Sequence, residues 1–350
     1  MPTLEGTGPA LLVLLAAVLA VVLSVAFAPV AAPRARWAAA GGAGILAVLG
    51  MAAPRDLAAV AIVIVLLAAA RAVAGGAGLV ALRAPAFGAL LLMGGSLLVR
   101  SQPHADVAGP SLVLAVVGLL AAIYSVPFLQ PLPETGTTAI SAVEWTSYLA
   151  PAAVAVLAMR VLPQLAVAAA PDYAALLVGF GLLNLFWGLV AGWLGSSPGS
   201  AWRNGLLAEV GFALIGFGLV LPDALAAAYL TLVSLLVIRL PLYLWASAGA
   251  VDASPPAPRG RTLLLAALFA GAAPFAGFTA RILLLKAATQ VAWPLALMLL
   301  LAMLLWLPLA LRLARSVPHS SRTLAGSALL LTLSVAIGVY PQPLLRLAGV

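Results

Sequence analysis

Five ionisable side chains sit inside otherwise apolar stretches of this sequence: Glu144, Glu209, Arg239, Arg281 and Lys286. A charge at the centre of a bilayer costs about 2.5–3.5 kcal/mol on insertion scales, so each must face a partner, a watery path or an interface. Glu209, Arg239 and Arg281 fall on three consecutive apolar segments. If those faces meet, they form an acid–base–base chain across one helical bundle, able to move protons or ions or to tune neighbours that do. Other chemistries lack residues to carry them. With no cysteine there is no disulfide, thiolate metal site, iron–sulfur cluster or covalent haem. The two histidines, His104 and His319, lie in connecting segments, and no phosphate-cradling glycine loop, metal-ligand cluster or nucleophile constellation occurs. The expectation is a chain with no catalytic residue, metal or cofactor of its own.

The elements that must position these residues follow from composition. The chain is 65% hydrophobic and 7% charged over 350 residues, with a mean hydropathy of +1.21, far from the roughly 25% charged content of a soluble domain. Roughly 20 apolar residues cross the hydrocarbon core, and about twelve such runs recur: 9–29, 37–53, 56–74, 84–99, 110–130, 139–162, 173–196, 203–221, 223–247, 261–286, 291–315 and 324–346. They are apolar on all faces and rich in Ala and Leu, without the alternation of barrel strands, so the predicted fold class is all-α, a polytopic integral membrane protein. The residues before the first span lack the charged start of a signal peptide, and that span is expected to be retained.

The net charge of +8 does not point to nucleic acid, because the basic residues stand singly or in pairs at span ends. Loops after the odd spans hold Arg34, Arg36, Arg71, Arg83, Arg203, Arg259, Arg261, Arg312, Arg315 and Arg322 against Glu134 and Asp252. The opposite side holds Arg55, Arg100, Arg160 and Arg346 against Glu5, Asp56, Asp106, Asp172 and Asp223. The positive-inside rule then puts the odd loops in the cytoplasm and both termini on the periplasmic side of the inner membrane. Aromatic residues such as Trp145, Tyr148, Trp187, Trp202, Tyr243, Trp245 and Trp293 read as interface anchors or packing.

Proline and glycine mark places where spans break. Pro274 and Gly277 precede Arg281 within one apolar stretch, and Pro127 ends another that contains Gly118. Interrupted helices in two halves of a chain are a feature of transporters.

The stretch from Gly271 through Pro274, Gly277 and Phe278 to Arg281 resembles the signature around the functional Lys in the antiporter-like subunits of respiratory complex I, above all subunit N of NADH-quinone oxidoreductase. Gly338-Val339-Tyr340-Pro341-Gln342-Pro343-Leu344-Leu345 is similar to the segment that closes subunit N. Pro127-Phe128-Leu129-Gln130-Pro131-Leu132-Pro133-Glu134, then Thr137 to Ala142, then Arg160-Val161-Leu162-Pro163, follow the order and spacing of further family motifs. Arg203 to Gly211 occupies the place of another, keeping mainly its length and Gly211.

The resemblance covers residues 110–350. It implies an antiporter-like fold of two inverted five-helix repeats, 37–162 and 163–315, with flanking helices in 1–36 and 316–350. It also implies partners among other membrane-arm subunits, with NADH, clusters and quinone handled by them. The family has fourteen spans; about twelve here implies that the first two are missing.

Departures carry information. The family's proton-accepting Lys in the first repeat falls at Ala122, its acidic partner in a segment holding only Asp56 and Arg71, and a further basic position near Ala152. That repeat is degenerate. In the second, Arg281 stands at the functional Lys and Arg239 near another basic position. Arg keeps its charge where Lys can be brought to titrate, so Arg281 is expected to pair with Glu209 or Glu144 as a fixed electrostatic element. The function implied is a subunit N-like component contributing to, or scaffolding, proton translocation. Alternatives are an antiporter-like subunit of a membrane-bound hydrogenase or Mrp-type cation/proton antiporter, or a stand-alone secondary transporter.

Overall fold

The computed structural model describes residues 8–28, 82–101, 127–128, 170–195, 198–249 and 259–350, with scattered helical residues between 58 and 69 and between 113 and 121. Glu144, Ala152 and much of the expected first repeat lie outside the described residues. Regular structure among the described residues is helical throughout: α1 (Gly8–Ala26), α2 (Arg83–Ser101), α3 (Ala170–Leu194), α4 (Pro198–Leu219), α5 (Pro222–Ser234), a π-helical turn (Leu235–Arg239), α6 (Leu240–Gly249), α7 (Arg259–Ala270), α8 (Ala276–Val291), α9 (Trp293–Arg315), α10 (Ser321–Val339) and α11 (Gln342–Ala348).

Four of these helical stretches are long and apolar enough to cross a membrane: Pro171–Leu194, Pro222–Ala246, Trp293–Arg315 and Ser321–Val339. Their starts follow from local sequence. Pro222 and Pro294 occupy first-turn positions, where a missing N–H costs nothing. Ser320 caps α10 through a reciprocal pair with Thr323. The last expected span, 324–346, is two elements. Pro341 supplies no N–H to continue α10, and α11 begins a turn later and ends at Gly349, whose φ is +78°.

The span Pro222–Ala246 is the most enclosed of the four, with 83% of its most apolar window buried. It therefore forms the axis on which α1, α4, α8 and α10 assemble. The tightest helix pair is α3 with α4, where a side chain on Gly211 would meet the Gly181 carbonyl at 2.6 Å and the Leu185 amide at 2.7 Å. Backbones pack that closely because small residues face each other, the usual solution where lipid offers no hydrophobic drive for association.

Contacts also sort the helix ends. At one end Arg261 reaches His319 and Ser327, Trp202 Nε1 donates to Ser316 Oγ, and Arg312 donates to the carbonyls that close α3. At the other end Lys286 pairs with Asp223, and Gly8 lies against Leu347. The described chain thus begins and ends at the same end of the bundle.

Candidate functional site

The site begins with the turn between α7 and α8. Gly271 takes a φ of +63°, its N–H bonds to the Leu268 carbonyl, and the Ala272 N–H bonds to the Ala267 carbonyl. This is a Schellman closure, and it leaves the Phe269 carbonyl without a helical partner. Arg239 Nη2 and Trp306 Nε1 donate to that oxygen at 2.7 and 2.5 Å. A guanidinium at the negative end of a helix dipole is well placed electrostatically. On the far side of the turn, α8 starts without a capping side chain of its own. Ser334 Oγ of α10 accepts from the Ala276 N–H at 3.2 Å, and Thr279 Oγ1 donates to the Gly338 carbonyl at 2.7 Å. The break is therefore supported by side chains from three other spans.

Arg239 closes the π-helical turn, whose backbone bond runs from the Leu240 N–H to the Leu235 carbonyl. One extra residue in a helical turn re-aims the side chains around it, and such bulges concentrate at functional positions. Arg239 Nη2 also lies 2.6 Å from Glu209 Oε1, with Glu209 8% and Arg239 6% exposed. The Arg239 guanidinium carbon sits 4.5 Å from the Phe269 ring centre and 5.6 Å from that of Trp306. Arg281 follows, 5.5 Å from both Trp306 and Phe212, and so close to Gly271 that a Cβ there would meet its guanidinium at 2.9–3.1 Å. The result is a row, buried at Glu209 and Arg239 and part-exposed at Arg281, in which charges alternate with aromatic faces, which attract guanidinium groups through their quadrupoles.

Glu209, Arg239 and Arg281 are thus brought into one cluster, with an internal order the sequence did not supply. Among the described residues Glu209 makes its direct ion pair with Arg239, while Arg281 lies against the rings of Phe212 and Trp306 and the backbone of Gly271, within electrostatic reach of Glu209. The expected alternative, Glu144, lies outside the described residues. Lys286 does not join the row; it is mainly exposed and holds Asp223 at 2.8 Å at the end of α8. Pro274 lies in the turn between α7 and α8, and Gly277 in the first turn of α8. In the other half, Pro127 lies in a turn, whereas Gly118 is helical and packs on α2, where a side chain would meet the Gly88 carbonyl at 2.7 Å. Trp306 and Phe269 went unnoticed in the sequence. A Trp at the centre of a Leu-rich span, far from either interface, was the signal for the first; the second gave none.

Neither a protein-family model nor a curated protein matches the sequence. Solved structures do. A chain of the Mrp complex from Dietzia sp. DQ12-45-1b superposes with a TM-score of 0.79 at 15% identity, covering 97% of this chain and 44% of that one. The chain shares the fold of that membrane chain. A chain of the membrane-bound sulfane sulfur reductase, an archaeal respiratory membrane complex, matches with a TM-score of 0.68 at 16% identity over 97% of this chain and 64% of that one. A chain of respiratory complex I from Thermus thermophilus with bound NADH matches with a TM-score of 0.67 at 18% identity over 99% and 87%. This chain spans less than two thirds of the first two neighbours' lengths.

Proposed function

We propose that this chain is a subunit N-like membrane-arm subunit of a complex I-type NADH-quinone oxidoreductase, contributing to or scaffolding proton translocation driven by quinone reduction in other subunits. The observation that carries this reading is the Glu209–Arg239–Arg281 row built on the broken helix α7–α8. The two stretches that resemble subunit N most closely, 271–281 and 338–345, also meet in space at Gly338, where a side chain would meet the Pro274 carbonyl. Redox groups belong to the partners, the other membrane-arm subunits; this chain's surroundings are those subunits and the bilayer of the cytoplasmic membrane, with no nucleic acid.

Within that role the row acts as a fixed charge. A guanidinium holds its proton at any physiological pH, so Arg239 and Arg281 set the potential along the bundle without relaying protons themselves. Glu209 offsets one of the two positive charges, and the C-terminal end of α7 favours the other groups' cationic form.

A second reading is favoured by the superposition on the Mrp chain, whose TM-score of 0.79 exceeds the 0.67 of the complex I chain. On that reading the chain is an antiporter-like subunit of a cation/proton antiporter assembly. Gentle detergent purification of the tagged chain, with mass spectrometry of what accompanies it, separates the two. NADH- or ferredoxin-linked redox subunits establish the first reading, antiporter subunits without redox partners establish the second, and a monodisperse chain alone overturns both.

A further inference from the structure

The Arg-rich end of the bundle holds a histidine whose contact dictates its protonation state. Arg261, in the first turn of α7, directs Nη1 to His319 Nδ1 and Nη2 to Ser327 Oγ, each at 3.2 Å. A guanidinium only donates, so Nδ1 must accept, and it can do so only while the imidazole is neutral. Both acceptors are set by α10. Ser327 Oγ donates to the Thr323 carbonyl at 2.6 Å, which leaves its lone pairs for Arg261. Around His319, Thr323 Oγ1 donates to the Pro318 carbonyl and accepts the Ser320 N–H, both at 3.0 Å, while Ser320 Oγ accepts the Thr323 N–H. The imidazole is therefore presented from a backbone held on both sides of it.

We infer that His319 and Arg261 form a pH-sensitive clasp between the α9–α10 connection and α7, closed while the imidazole is neutral and opened when it takes up a proton. Imidazole is the side chain that ordinarily changes charge between about pH 5 and 8. On protonation Nδ1 becomes a donor facing a donor, and two positive charges meet across the former bond. Both residues are half-buried, so that repulsion is screened less than on an open surface. The clasp therefore stabilises the chain at the upper end of this range and is lost as pH falls. Arg259 on α7, Arg203 on α4, Arg315 at the end of α9 and Arg322 in the first turn of α10 keep their charge throughout, and Arg312 is occupied with the carbonyls that close α3. Asp252, in the connection before α7, lies outside the described residues, and a carboxylate ordinarily titrates near pH ~4, below the imidazole's range. The clasp reaches inward because α7 is one short helix, Arg259–Ala270, and its far end supplies the Phe269 carbonyl that accepts from both Arg239 and Trp306. Proton activity at the Arg-rich end thereby bears on how firmly the charge row is seated, whichever assembly the chain joins.

The chain has two histidines, so His104→Gln leaves His319 as its single imidazole. In that background, on a histidine-free tag and with whatever partners co-purify, the unfolding midpoint is followed from about pH 8 to about pH 5.5, together with the emission component that Trp306→Phe removes. The expected result is a fall in midpoint of about 2 °C or more and a shift of the Trp306 component over the same range. Both changes are absent in His319→Asn, whose amide oxygen accepts at the place of Nδ1 without titrating. Both are also absent in Arg261→Met, where no guanidinium opposes the proton and the midpoint is low throughout. A step that persists in either variant belongs to other groups and overturns the clasp, as does a background protein whose midpoint is flat. A step in midpoint with no change in the Trp306 component overturns the link from the clasp to the row.

Discussion

At Glu209 a single carboxylate neutralises one of two guanidiniums inside the membrane bundle, at 2.6 Å from Arg239. Removing one member of a buried pair leaves the other charge stranded, which costs about 3–5 kcal/mol, whereas replacing both by apolar groups of similar volume is close to neutral. Glu209→Ala is therefore expected to lower unfolding stability in detergent by about that much, and Glu209→Gln combined with Arg239→Met to regain most of the loss. Denaturant titration of the two variants against the parent checks this; a Glu209→Ala protein as stable as the parent shows that the pair does not form. Arg281→Ala has a different expected outcome, because that guanidinium has no ionic partner among the described residues to strand. Assembly should survive while proton translocation by the assembled complex falls; if both are unchanged, Arg281 has no electrostatic role. The members of the row were legible in the sequence because ionisable groups are rare in apolar spans. The order was not, since spacing along three separate helices carries no information on how each is rotated about its axis.

The break between α7 and α8 is the element on which the row depends. Gly271 is required there twice, once for its φ of +63° and once because any side chain would push into the Arg281 guanidinium. Left-handed backbone costs an L-residue roughly 1–2 kcal/mol before any clash is counted. Gly271→Ala is expected to lose at least that much stability, and to shift the emission of Trp306, which shares the Phe269 carbonyl with Arg239. Equal emission in the variant and the parent means that the turn does not position the row. Sequence located this break through Pro274 and Gly277 but not the π-helical turn at Leu235–Arg239, where no proline or glycine marks the change from one bonding pattern to another. The same gap explains the last span: hydropathy runs on past Tyr340, while the backbone obeys Pro341.

Across the whole molecule, charge and contacts divide the bundle in the same way. Arg259 and Arg261 open α7, Arg203 lies in the first turns of α4, and Arg312, Arg315 and Arg322 surround the α9–α10 connection, all at one end and without an acidic residue among the described ones there. Asp172, Asp223, Lys286 and Arg346 lie at the other, with the chain's first and last described helices. Span direction was legible from sequence because helices of membrane-crossing length joined by short loops must alternate, and hydropathy finds such helices well. Which end faces the cytoplasm rests on the positive-inside rule, and the absence of native cysteine makes it directly testable. In intact cells or spheroplasts, a single cysteine at Arg346 should react with a membrane-impermeant maleimide, and one at Arg259 or Arg322 only after the membrane is opened. The reverse pattern inverts the topology, placing the Arg-rich end outside and Lys286–Asp223 inside. Labelling at both ends of intact cells, or at neither, means that these residues do not lie on opposite sides of the bilayer, and that the division of charge seen across the bundle is not a transmembrane one.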